Sequence, residues 1–152
     1  TKMKLKVPPP LVLLVAVAMT FAAASWFPGL TFKFPGQFVL AAILFFLGLI
    51  PDVLALLTFV RKKTTVNPMT PDKSTTLVTD GIYRISRNPM YLGLLFLLVA
   101  ASLYFSSFLS ILIIPTFIWY LTEFQIKPEE ESLKQVFGDD YESYLKKVRR
   151  WV

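Results

Sequence analysis

The chain has 152 residues, a net charge of +6, and 55% hydrophobic residues against 17% charged ones. Soluble domains carry about 45–50% apolar and roughly 25% charged residues, so the apolar surplus points to lipid as a solvent. The length admits one domain. Cysteine and histidine are both absent, which excludes disulfides, thiol nucleophiles, imidazole bases and the usual zinc ligand sets.

Lys2, Lys4 and Lys6 precede a first apolar run, Leu11 to Phe27, that carries no charge. A membrane span needs about 20 mostly apolar residues. The basic start is also that of a signal peptide, but Trp26-Phe27-Pro28 is a poor cleavage site and reads as an interfacial aromatic anchor. A turn from Pro28 to Gly36 leads to a second run, Phe38 to Val60, closed by Arg61-Lys62-Lys63. Pro51 predicts a kink in it. Asp52 is a charge at membrane depth, where such groups face protein or water rather than lipid.

Residues 61–88 are polar and rich in Thr, Pro, Asn, Asp and Lys. Loops of more than about 12–15 residues are usually functional or disordered. Met90 to Tyr104 and Phe108 to Thr122 follow as two apolar runs, predicting a tight helical hairpin whose arms are short for full spans. After Glu123 the chain turns amphipathic. Leu133, Phe137, Tyr141, Tyr144 and Val148 recur every three or four residues, marking one face of a helix or helix pair, with Gly138 as the break.

The expected fold is an all-α integral membrane protein with about four transmembrane helices, a cytoplasmic loop and a C-terminal amphipathic helical segment. Residues 1–152 form a single membrane domain, divided into an N-terminal helix pair (1–60) and a catalytic half (61–152). With the N-terminus inside, all sixteen Lys and Arg except Lys33 fall on the cytoplasmic side, as the positive-inside rule requires. Both termini are then cytoplasmic, and the 61–88 loop meets the C-terminal tail on one face. The positive charge addresses lipid headgroups rather than nucleic acid.

Two segments stand out as carriers of chemistry. One is Thr75-Thr76-Leu77-Val78-Thr79-Asp80-Gly81-Ile82-Tyr83 followed by Arg87-Asn88-Pro89-Met90-Tyr91-Leu92-Gly93. The other is Pro128-Glu129-Glu130-Glu131-Ser132-Leu133 followed by Phe137-Gly138, Tyr141, Tyr144 and Val148-Arg149-Arg150. In this order, separated by one apolar hairpin, they resemble the isoprenylcysteine carboxyl methyltransferases and the related phospholipid N-methyltransferases. The resemblance covers residues 74–150. It implies S-adenosylmethionine as cofactor, S-adenosylhomocysteine as product, and membrane lipids with an amphiphilic or lipid-like substrate as partners. Carried over by position, the implied cofactor contacts are Thr75, Thr76, Leu77, Val78, Tyr83, Asn88, Pro89, Met90 and Tyr91, then Glu129, with Glu130 completing the acidic pair and Gly93 permitting close approach to cofactor or helix. Arg87 and Gln125 are candidate substrate contacts. No catalytic base is assigned, and no metal is required.

Those residue types suit the task. Methyl transfer is an in-line displacement whose activation comes with the cofactor, so the protein must position both partners and shield them from water. A carboxylate suits the methionine ammonium or the ribose hydroxyls; tyrosines suit adenine or a cation. Two positions depart from the family pattern. Asn88 stands where the family carries histidine, and Asn accepts no proton at neutral pH. Gln125 stands where the isoprenylcysteine enzymes place an arginine suited to a substrate carboxylate.

Plainer readings stand beside these. The Glu129–Glu131 run after Pro128 suits a helix N-terminus, and Asn88-Pro89 suits a helix start. Tyr141 and Tyr144 suit packing, and Arg149, Arg150 and Trp151 a surface anchor. Asp52 and Glu123 fit a proton-coupled small-molecule exporter. A membrane reductase and a non-catalytic lipid-binding protein also remain open.

Overall fold

The computed structural model describes residues 7–62 and 77–152. These residues form six α-helices and one isolated bridge between Thr31 and Ser107. The helices are α1 (Pro9–Trp26), α2 (Gln37–Lys62), α3 (Pro89–Phe105), α4 (Ser110–Leu121), α5 (Lys127–Phe137) and α6 (Asp139–Lys147).

Two helices are long and apolar enough to cross a membrane: α1, and α2 from Gln37 to Thr58. A helix apolar on all sides is either a core helix or a membrane span. Core helices are mostly buried, whereas only 17% and 22% of these two windows is covered by protein. Leu14, Met19 and Phe21 on α1 and Phe38, Phe46 and Val53 on α2 face outward, an apolar surface beyond what a water-soluble monomer shows. Helix α3 has 17 residues, about 25 Å at 1.5 Å per residue, the short limit of a span.

The central helix is α3, packed against α2 on one flank and α1 and α4 on others. Ala16, Tyr91, Leu94, Leu98, Phe117 and Leu121 form the core between them. The α2–α3 crossing is set by two glycines. A Cβ on Gly93 would lie 2.5 Å from the Gly48 carbonyl oxygen and 3.1 Å from Asp52 Oδ1; one on Gly48 would lie 3.0 Å from the Gly93 carbonyl. Only hydrogen fits on either side, which lets the two backbones approach as small residues do in membrane bundles.

The expected hairpin is present, with its tip at Ser106, where φ is 61°. The loop after α1 latches onto this tip. Phe32 N–H donates to the Ser106 carbonyl at 3.0 Å and Phe108 N–H to the Leu30 carbonyl at 2.9 Å. Buried Gln37 donates to both the Ser106 hydroxyl and the Leu103 carbonyl.

Helix α4 does not stop at the membrane edge. It widens into a π turn, Thr122–Ile126, in which Lys127 N–H reaches back five residues to the Thr122 carbonyl, and then continues as α5. Gly138, with φ of 56°, turns the chain into α6, the break expected from the sequence. Tyr141, Tyr144 and Val148 then pack on Val78, Tyr83 and α2 Ala55, a second core outside the first.

The chain end corrects one expectation. Arg149 is exposed, but its carbonyl accepts from Arg87 N–H at 3.0 Å. Arg150 folds back onto Glu130, and Trp151 packs on the first core and donates to Thr122 Oγ1 at 3.3 Å. Residues 149–151 are a strap across the start of α3 rather than a loose surface anchor. The cause is mutual satisfaction of polar groups, which draws in the Arg150 side chain while that of Arg149 stays in solvent.

Candidate functional site

The two cores meet where the π turn, the start of α3 and the short 3-10 turn Gly81–Arg84 converge. Three local signals bring them together. Gly81 has φ of 63°, so the chain turns sharply onto α2, close to Thr58. Pro89 starts α3 with its missing N–H at no cost. The π turn rephases the α4–α5 rod, so that Leu121, Gln125 and Ile126 are all buried and Glu129 follows on the same side. Such wide turns are frequent at functional sites.

Glu129 is the centre. Its Oε1 accepts from the Tyr91 hydroxyl and from Gln125 Nε2, the latter at 3.0 Å. No Lys or Arg among the described residues pairs with it. Burial raises its carboxyl pKa to about 8; the Tyr91 and Gln125 hydrogen bonds oppose that rise and Glu130 adds to it. Tyr83 lies nearby, its phenol pushed far above the usual value by burial first, then by Tyr144, Glu129 and Asp52.

Its neighbour Glu130 has the opposite fate. Arg87 Nη1 donates to Oε2 at 2.9 Å, and Arg150 donates to Oε1 at 2.8 Å and to Oε2 at 3.2 Å. The Arg87 and Glu130 side chains are each 12% exposed. The second acid of the motif is thus neutralised by protein, and the first is not. Burial of Tyr141, beside this group, raises its phenol pKa, with Arg87 opposing.

Of the remaining sequence-derived site residues, Val78, Pro89 and Tyr91 are buried and Leu77, Asn88 and Met90 partly so. Leu77, Val78, Tyr83 and Met90 belong to the second core. Asn88 sits at the N-cap of α3 but makes no side-chain cap; its amide donates to the Arg150 carbonyl at 2.8 Å. Gly93 faces α2. Gln125 is buried and committed to Glu129. Thr75 and Thr76 lie outside the described residues. Sequence reading missed Arg150 as Glu130's partner, since nothing local links positions twenty residues apart across a glycine turn.

The fit to the implied cofactor rests on that asymmetry. S-adenosylmethionine carries a sulfonium and an ammonium, and Glu129 is an enclosed acid with two neutral donors and no cation among the described residues. Tyr83 and Tyr91 are buried aromatic residues close to it.

The chain is similar to known methyltransferases. The family model described as phospholipid methyltransferase matches residues 36–140. A protein-S-isoprenylcysteine O-methyltransferase B of Arabidopsis thaliana is 31% identical over 139 residues, 91% of this chain and 70% of that one. A protein-S-isoprenylcysteine O-methyltransferase of Schizosaccharomyces pombe is 38% identical over 77 residues, 51% of this chain but only 33% of that enzyme. An uncharacterized protein of Haemophilus influenzae is 44% identical over 63 residues, 41% of this chain and 100% of that one. No solved structure matches the chain. The family match spans both motifs' core, the hairpin between them and all of α2, and so this chain belongs to the phospholipid methyltransferase family.

Proposed function

We propose that the protein transfers a methyl group from S-adenosylmethionine to a small amphiphilic or lipid-like acceptor at the cytoplasmic face of a membrane. The observation that carries this reading is the Glu129 carboxyl, which accepts from Tyr91 and Gln125 and has no cation among the described residues, in a chain of this family. The related enzymes named for isoprenylcysteine support O-methyl transfer in their own case.

When bound, the cofactor supplies an electrophilic methyl group. The protein's part is placement. Glu129 holds the cationic end, with Tyr91 and Gln125 fixing the carboxylate rotamer. Leu77, Val78, Asn88, Pro89 and Met90 supply backbone and apolar contacts, and Tyr83 excludes water. The Glu130–Arg87–Arg150 group locks the strap against α3. In the full reading four helices span the bilayer, both termini are cytoplasmic, and residues 61–152 act as the cofactor half braced by the first helix pair. Cofactor enters from the cytosol and acceptor laterally from the inner leaflet.

The test is calorimetric binding of S-adenosylmethionine and S-adenosylhomocysteine to protein in detergent and again in nanodiscs. Saturable binding of both is expected. No binding in either medium, by protein shown to be folded, overturns the reading.

A further inference from the structure

Asp52 is an ionisable group near this site that makes no contact with Glu129 or Glu130. Asp52 lies on α2, six residues inside the Thr58 end of the span, about 9 Å deep at 1.5 Å per residue. Aspartate has too short a side chain to reach the headgroups from there. Carboxylates at such depth are costly and face protein or a wet cavity.

Its placement is defined by the glycine crossing. The Asp52 carboxylate stands against Gly93, two residues along α3 from Tyr91. One turn further along α2, Ala55 is buried against Tyr83, and Asp52 and Glu129 both act on the Tyr83 phenol. Tyr83 is thus packed by the same stretch of α2 that carries Asp52. Pro51, just before Asp52, interrupts the α2 hydrogen-bond ladder, since its ring nitrogen donates nothing to the Leu47 carbonyl.

No Lys or Arg among the described residues pairs with Asp52. The Arg87 and Arg150 guanidinium groups are already on Glu130. Gln125 is already on Glu129. Among the described residues, the membrane-side wall thus offers an anion and no free cation.

The geometry points to Asp52 as the acceptor-side carboxylate, which receives the ammonium head of a membrane-dissolved amphiphilic amine and takes the proton that the nitrogen must lose before it attacks the methyl group. A carboxylate acceptor would meet like charge there. The apolar tail of the amine would lie along the lipid-exposed surface beside α2, and its head would stop at Asp52, on the bilayer side of the cofactor carboxylate Glu129. This assignment rests on the proposed methyl-transfer reading and deepens it.

Dodecylamine and dodecanoate serve as probes, titrated at neutral pH into protein saturated with S-adenosylhomocysteine in nanodiscs. Wild-type protein is expected to bind the amine saturably and the acid weakly. Asp52→Asn should weaken amine binding roughly 10- to 100-fold, the weight of a charge-assisted contact, and leave S-adenosylhomocysteine affinity unchanged. Asp52→Glu should restore most of the amine affinity, which a purely structural aspartate would not require. Unchanged amine affinity in Asp52→Asn, or preference of the wild type for dodecanoate, overturns the assignment while the cofactor reading stands. Failure of wild-type protein to bind S-adenosylhomocysteine overturns both.

Discussion

At the residue scale, the proposed contact of Glu129 with the cofactor would make binding pH-linked. Burial holds its carboxyl near pKa 8 in the free protein, so at neutral pH it is mostly protonated. A cation beside it favours the charged form, and binding then releases a proton. Affinity for S-adenosylmethionine should rise with pH up to about 8 and level off above it, and calorimetric heats below that point should depend on the buffer's ionisation enthalpy. Glu129→Gln should weaken binding and flatten the profile. The same shift has the opposite sign for folding. The folded state holds this proton more tightly than the unfolded chain, so the contribution is present at low pH and lost as pH rises from about 4.5 to about 8. Tyr91→Phe should leave the fold intact and weaken the cofactor by about 1 kcal/mol, the loss of one hydroxyl contact. Unaltered affinity in both Glu129→Gln and Tyr91→Phe would remove the site assignment.

At the scale of elements, the glycine crossing and the arginine clamp make separate predictions. Gly93→Ala sets a methyl 2.5 Å from a backbone carbonyl, while Gly48→Ala meets its nearest atom at 3.0 Å. Both should lower thermal stability in detergent, Gly93→Ala more, by about 1–3 kcal/mol or greater for overpacking. Glu130→Gln leaves the mostly buried Arg87 without its counter-charge. It should cost about 3 kcal/mol of stability, as breaking a buried pair does; the more exposed Arg150 adds little. Cofactor affinity should fall far less than in Glu129→Gln. Equal losses of affinity would put Glu130 in the cofactor's contact shell.

Much at this scale was legible in the sequence. The hairpin arms, the amphipathic pair α5 and α6, and the glycine between them follow from apolar periodicity, because side chains three or four apart share a face. The packing of Tyr141 and Tyr144 was legible for the same reason. What was not legible is what depends on phase or distance. A π turn leaves composition unchanged, so Gln125 could be read as a substrate contact although its amide faces Glu129. The strap joins positions about sixty residues apart, Arg87 with Arg149 and Asn88 with Arg150, and no local pattern marks which arginine will find which acid. Asp52 was visibly out of place in an apolar run, but only the crossing with Gly93 gives it an address.

For the whole molecule, the apolar belt on α1 and α2 and the charge asymmetry define the frame. Lys33 alone lies in the loop between α1 and α2, opposite every other basic residue in the proposed topology. The absence of native cysteine makes this directly testable. In right-side-out vesicles, Lys33→Cys should react with a membrane-impermeant maleimide, and Asp140→Cys should react only after lysis. The reverse pattern would invert the orientation and place the cofactor site on the other face. Purified protein stripped of detergent should precipitate, since the exposed apolar side chains of α1 and α2 then meet water.

The π turn has a consequence that concerns counting rather than chemistry. Five residues span what four would in an ordinary helix, so Thr122–Ile126 acts as a phase shifter in an otherwise continuous rod. Each residue advances an α-helix by about 100°. Deleting one residue within the turn would return it to an ordinary four-residue turn and leave Glu129 facing Tyr91, whereas the same deletion in a regular helix would swing all that follows by about a quarter-turn. The turn therefore absorbs one position that would otherwise carry the acid away from its partner. Two relatives that share every motif residue but differ by one position between the hairpin and the acidic pair can present the same wall to their ligands.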